Sequence, residues 1–388
     1  MAIIERIRSE HDRLTALRRD IHAHPELGFA EERTSALVAE SLAACGCEVH
    51  RGIGKTGVVG SLTSGSSPRA IGLRADMDAL PIEEANSVPY RSRHPGRMHA
   101  CGHDGHTTML LGAARYLAET RRFDGTVNFI FQPAEEGLGG GDAMVRDGLF
   151  ARFPCDAIFG MHNRPGLAVG KFSIRPGAMM AGGAYFDIAV KGRGAHGARP
   201  ESGIDPVLVA SHIATGLQTI VARNVRPIET AVVSVTQIHA GEAYNVIPEQ
   251  AMMRGTVRAF STEVLTLIET NMRRIAAGIA EAFGAEATLD FRVVFLPLVN
   301  DAAETGFIAD AAAALVGEEN VNRNGHLVMA SEDFSFMLKE VPGAYIQIGN
   351  GAGGCEVHNP GYDFNDAILP LGASLFALLA ERKLAATG

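Results

Sequence analysis

The sequence predicts an α/β protein, a mixed and mostly parallel sheet flanked by helices, with a smaller α+β segment inserted into it. Three observations predict this. Short apolar runs alternate with helix-period segments as far as Arg175, the pattern of strands joined by helical crossovers. After Arg175-Pro176-Gly177 the texture changes to strands of alternating polarity, which suit a half-exposed antiparallel sheet. Beyond Pro297 the first texture returns. The expected division is therefore residues 1–180 with 295–388 as one discontinuous domain, and residues 181–294 as the insert.

Each element has its own reason. Ile4, Ile7, Leu14, Leu17 and Ile21 recur near helical spacing and predict one N-terminal helix, ended by His24-Pro25. Residues 31–44 predict a second helix. Residues 58–60 and 70–73 are apolar runs, and the second reads as a buried strand that stops at Arg74-Ala75-Asp76. Residues 107–117 are helical in pattern, and 127–131 and 157–161 are strands. In the insert, 185–190, 230–238, 252–259 and 287–295 read as strands, and 205–222 and 263–283 as helices. The tail offers a helix over 302–315, a strand over 344–348 and a helix over 366–383.

Composition narrows the function. The chain of 388 residues is long enough for two or three domains. Its net charge of −9 argues against nucleic acid as a partner. No apolar run of about 18 residues predicts a membrane span. The start, MAIIERIRSEHDRL, is charged and amphipathic, unlike a signal peptide. Five cysteines, an odd number, suit a reducing cytoplasm better than a disulfide framework. A Walker A loop, a Gly-x-Ser-x-Gly elbow and a dinucleotide fingerprint are all missing.

The chemistry concentrates in a few segments. His99-Ala100-Cys101-Gly102-His103-Asp104-Gly105-His106 packs thiol, imidazole and carboxylate together, the ligand types of borderline metals. Glu135 and Glu136 lie just past a predicted strand, as do Asp76, Asp78 and His162. Ligands of open α/β sheets bind at that edge. His358 follows a glycine-rich loop that permits close backbone approach. In the insert, His196 stands between glycines, and Asn245 and Arg258 offer an amide and a guanidinium suited to a carboxylate.

These segments together resemble the M20 family of metallo-amidohydrolases and peptidases, above all its aminoacylase branch of hippurate and indoleacetyl-amino acid hydrolases. The matching stretches run in order from Arg19-Asp20-Ile21-His22-Ala23-His24-Pro25-Glu26-Leu27 through Arg74 to Pro81 and Met98 to His106. They continue through Phe131 to Gly137, His162, Gly192 to His196, Asn245 to Pro248, Ser331 to Phe334 and Val357-His358-Asn359. The resemblance implies two divalent metal ions per subunit (zinc, manganese, cobalt or nickel) held by Cys101, His103, Glu136, His162 and His358. It implies that Glu135 is the general base, that Asp76 and Asp78 orient ligands from behind, and that His196 stabilises the oxyanion. Asn245 and Arg258 would hold the substrate, and the insert would serve as lid and dimer surface of a homodimer or homotetramer. The expected reaction is hydrolysis of N-acyl-L-amino acids to a carboxylic acid and an amino acid. A dipeptidase or carboxypeptidase on the same machinery is the alternative, and a metal-stabilised binding protein without catalysis is the alternative of another class.

Overall fold

The computed structural model describes residues 4–386, so Met1, Ala2 and Ile3 of the charged start lie outside the described residues. The chain divides into two compact units. One is Met1–Met179, Val299–His326 and Asp333–Gly388, and the other is Met180–Leu298 and Leu327–Glu332.

The first unit is built on an eight-stranded mixed sheet. Its central strands, Gly125–Gln132, Ala70–Asp76, Ala157–Pro165 and Gly343–Gly351, are neighbours in that order and mutually parallel. Glu48–Ile53 and Gly57–Ser64 close one edge antiparallel, and the two-residue strands Phe172–Ser173 and Val321–Asn322 close the other. Alternate residues along the central strands (Ile71, Leu73, Phe129, Phe159, Ile346) enter one continuous core with Leu110 and Ala114 of helix His103–Thr120 and Leu375 of helix Leu369–Lys383. Burying each such large side chain contributes roughly 1.5–3 kcal/mol, so the strand ends stand on a rigid base. Gly160 lies against the Phe334 and Tyr345 rings. A Cβ there would lie 2.9 Å from Tyr345 and 3.3 Å from Phe334.

The predicted α/β class, with its inserted antiparallel α+β segment, is borne out, and several boundaries differ. The N-terminal helix is two helices, Glu5–Arg8 and His11–His22. At the break Ser9 Oγ donates to the Arg6 carbonyl, a local bond that competes with the helix ladder. The strand expected to stop at Arg74-Ala75-Asp76 takes in all three residues, because pairing with the neighbouring strand persists as far as Asp76 opposite Gln132. His162 likewise lies within a strand rather than after one, opposite Gln347. Helix His103–Thr120 begins four residues before the periodic apolar pattern that suggested it.

The second unit is a four-stranded antiparallel sheet in the order Ala231–Ala240, Gln250–Ala259, Gly182–Lys191, Glu286–Phe295. Helices Pro206–Arg223 and Thr262–Ala282 bury one face against it through Ile213, Leu217, Ile268 and Met272, packed on Phe186, Ile188 and Met253. Both helices have side-chain caps, Asp205 accepting from the Val207 and Leu208 N–H groups and Ser261 from the Val264 N–H.

Candidate metal centre

Four chain segments of the first unit converge at the C-terminal ends of its parallel strands. The first is the N-terminus of helix His103–Thr120. Gly102 precedes it with φ +95°, a conformation open to glycine. Any Cβ there would fall 2.2 Å from Asn163 Oδ1 and 2.7 Å from the Tyr362 hydroxyl. The tight entry sets Cys101 and His103 on either side of Gly102, both buried. The second segment follows strand Gly125–Gln132 and carries Glu135 and Glu136. The third is His162 on strand Ala157–Pro165. His358 approaches from its loop, its own N–H bonded to the Ala100 carbonyl at 2.7 Å.

Ligand-type atoms cluster tightly here. Those of Cys101, His103 and His162 lie within 4.8 Å of one another, and so do those of Cys101, Glu136 and His358, and of His103, Glu135 and Glu136. Cys101 Sγ is 3.3 Å from His162 Nε2. Glu136 Oε1 is 3.2 Å from His358 Nε2 and 3.9 Å from His103 Nε2. Two overlapping triads thus share Cys101, and Glu136 stands between His103 and His358.

Buried His103 and half-buried His162 aim the same nitrogen inward. His103 Nδ1 lies 2.9 Å from the Asp78 carbonyl and 3.2 Å from Asp78 Oδ1, acceptors that hold the proton on Nδ1. His162 Nδ1 donates in the same way to the Asn163 carbonyl at 2.6 Å. In each neutral ring the Nε2 lone pair then faces the cluster, that of His103 unpartnered and that of His162 toward Cys101 Sγ, where a cation can take it. His103 Nε2 and Glu136 Oε1 are buried with no hydrogen-bond partner. Buried polar atoms are ordinarily paired, so these orphans, ringed by thiol, imidazole and carboxylate, fit a divalent metal.

The surrounding carboxylates favour positive charge at this place. Burial lowers His103, but the charge of Asp76 and the hydrogen bond His103 donates to Asp78 outweigh it and raise the ring to about 10. His162 is pushed well below the imidazole range by burial and then by the charge of His106. Burial, then the charges of Glu136 and Glu135, pushes the Cys101 thiol well above its usual value. A bound cation reverses that logic, since a coordinating thiol is deprotonated by the metal.

Around this cluster lie residues to which motif reading assigned no part. His106 Nδ1 is 2.6 Å from Asp76 Oδ1, and its Nε2 is 2.7 Å from Asn163 Oδ1. Arg74, wholly buried, pairs with Asp76 at 2.7 Å and Asp333 at 3.3 Å and donates to Gln132 at 2.9 Å. An arginine inside the otherwise buried run Ala70–Asp76 is itself a signal, because a buried charge needs a partner.

His196, Asn245 and Arg258 belong to the second unit. His196 pairs with Val246 in a short two-stranded ribbon, and the Asn245 carbonyl accepts the Gly197 N–H at 2.7 Å, so these two are neighbours. His196 is exposed, and its Nδ1 accepts the Ala198 N–H at 3.0 Å, leaving Nε2–H outward in the neutral ring. Arg258 stands on a different strand, opposite Gly183, with Nη1 donating to Thr256 Oγ1 and the Val257 carbonyl.

The chain is 45% identical to a hippurate hydrolase of Campylobacter jejuni, over 99% of this chain and all of that one. It is 41% identical to IAA-amino acid hydrolase ILR1-like 4 of Arabidopsis thaliana, over 96% and 86% respectively. A crystal structure from Bacillus subtilis, described as a dinuclear metal-binding peptidase of the M20 family, superposes with a TM-score of 0.85 at 36% identity, covering 97% of this chain and 99% of that one. The model of peptidase family M20/M25/M40 matches residues 72–382, and the chain belongs to that family.

Proposed function

We propose that this protein hydrolyses the amide bond of N-acyl-L-amino acids with the help of two divalent metal ions per subunit. The observation that carries the reading is the pair of orphaned buried atoms, His103 Nε2 and Glu136 Oε1, within the cluster of Cys101, His162 and His358. Those five residues would hold the metals, and the thiolate and imidazole set suits zinc, with manganese, cobalt or nickel as competitors. When bound, the ions would polarise the substrate carbonyl and lower the pKa of a water toward about 7.

The chain's own groups do the rest. Glu135, buried beside Glu136, takes the proton of the attacking water and returns it to the leaving nitrogen. Asp78 fixes the tautomer of His103, and Asp76 is tied to His106 and Arg74. His196 is assigned to the developing oxyanion, supported by its outward Nε2–H, and Asn245 and Arg258 to the amide and carboxylate of the substrate. The five cysteines are free, which supports a cytoplasmic protein. Among the described residues no helix is long and apolar enough to cross a membrane. The exposed apolar side chains Ile238, Tyr244 and Val246 of the second unit support a homodimer or homotetramer formed through the insert.

A substrate panel tests the reaction. Benzoyl-, acetyl- and indole-acyl amino acids should be cleaved in preference to dipeptides. Turnover confined to dipeptides would establish the peptidase alternative. An inert protein that nonetheless retains two metals would establish the binding alternative.

A further inference from the structure

We propose that Glu31 is a positioning residue for the Glu135–Glu136 pair, its buried carboxylate fixing the left-handed Ala134 peptide from which both acids project. The inference rests on the proposed roles of Glu135 and Glu136. Ala134 has φ +52°, a region that side-chain-bearing residues seldom occupy and that persists where the surroundings over-determine it. Three contacts do so here. Glu31 Oε1 accepts the Ala134 N–H at 2.8 Å, the Ala134 carbonyl accepts the Gly140 N–H at 3.0 Å, and Gly28 packs against Ala134, where a Cβ would lie 3.0 Å from its Cα and Cβ.

Glu31 is fully buried, and its local position does not explain why. It is the cap residue of helix Glu32–Ala44 yet makes no side-chain cap bond to it. That work is done by Glu26, whose two oxygens accept the Arg33 and Thr34 N–H groups at 2.9 and 2.8 Å. Glu31 is thereby free to turn toward Ala134, and its second oxygen is anchored by the Thr56 hydroxyl at 2.5 Å. On the far side of Glu135, Asp78 Oδ2 accepts the Glu136 N–H at 2.9 Å. The peptide chain around the general base is thus clamped at Ala134 and Glu136 by two carboxylates from separate segments. Losing the Glu31 clamp lets Ala134 relax to negative φ and swings both acids.

The test compares Glu31→Ala with Glu31→Gln, whose amide oxygen can still accept the Ala134 N–H. Zinc Kd by chelator competition, kcat and KM for benzoylglycine, and thermal melting are measured for each. Glu31→Ala should weaken zinc at least about tenfold and lower kcat about tenfold or more with KM little changed. Glu31→Gln should stay within about threefold of the native protein on both readouts, a rescue that loss of stability alone does not predict. Native Kd and kcat in Glu31→Ala overturn the proposal, and so do equal losses in both variants. If Glu31→Ala does not fold, Thr56→Val, which unlocks the second oxygen, should lower kcat about threefold at constant KM, and native kcat there overturns it. A native protein that binds no zinc removes the metal reading separately, and the kcat comparison still decides the role toward Glu135.

Discussion

Asp78 holds Glu136 by its backbone, Oδ2 accepting the Glu136 N–H at 2.9 Å, while its carbonyl and Oδ1 face His103 Nδ1 at 2.9 and 3.2 Å. One carboxylate therefore fixes two proposed ligands from different segments. Asparagine at this position offers one acceptor in place of two, so either the Glu136 N–H or the imidazole meets an NH2 group. Asp78→Asn should weaken metal binding about 10- to 100-fold, the usual cost of losing such a partner. Metal per subunit after dialysis against dilute chelator is the measurement. Native stoichiometry at equal chelator would show that Asp78 does not govern the ligands.

Glu135 and Glu136 separate cleanly by experiment. If Glu135 moves the proton and Glu136 holds metal, Glu135→Gln should lower kcat about 10²- to 10⁴-fold while metal content stays native. Glu136→Gln should lose metal. Equal metal loss in both variants would merge the two roles.

The sequence reveals the strand ends well and the supports behind them poorly. The apolar runs leading to Asp76, Gln132 and Met161 are simple buried-strand signals, and ligand-type atoms of His103, His162, Glu135 and Glu136 cluster at that edge. The edge strand Glu48–Ile53 has mixed polarity and little apolar signal, and short helices such as Gly140–Arg146 and Phe334–Glu340 hold too few turns to show periodicity. The partners of Glu31, His106 and Arg74 are hard to read for another reason. Their partners lie from 2 to 259 residues away in sequence, and the long pairings exist only once the sheet has formed.

His22 makes stability depend on pH. Burial lowers it, but the hydrogen bonds its N–H groups donate to Asp104 at 2.8 Å and Glu84 at 3.3 Å outweigh burial and raise the ring to about 9. A raised folded-state value means that the stabilisation is complete below the unfolded value near 6.5 and is lost as pH rises through about 9. The full contribution is on the order of 3 kcal/mol. Metal-free protein and His22→Gln should therefore differ in urea midpoint most at pH 6 and least near pH 9.5. A difference constant across that range would show that His22 is not charged in the folded protein.

Arg74 is the most exacting position in the sheet. It is wholly buried between Asp76 and Asp333, donates to Gln132 through Nε and lies 5.5 Å from the centre of the Phe334 ring. Arg74→Met fits the apolar part of that space but strands two buried carboxylates. Breaking such a set by removing one partner costs about 3–5 kcal/mol, because the charges left behind have lost both water and counter-ion. Asp76 keeps His106, and Asp333 keeps the Gly141 N–H at 2.7 Å, so the fold should survive in weakened form. Neutralising one orphan ought then to recover stability. Asp333→Asn added to Arg74→Met should be less destabilised than the single variant, although Asp333→Asn alone destabilises, since it breaks the pair from the other side. That sign reversal, read as urea midpoints of the metal-free proteins in a double-mutant cycle, is what a buried charge cluster requires. Simple addition of the two losses would mean that Arg74 acts through packing alone.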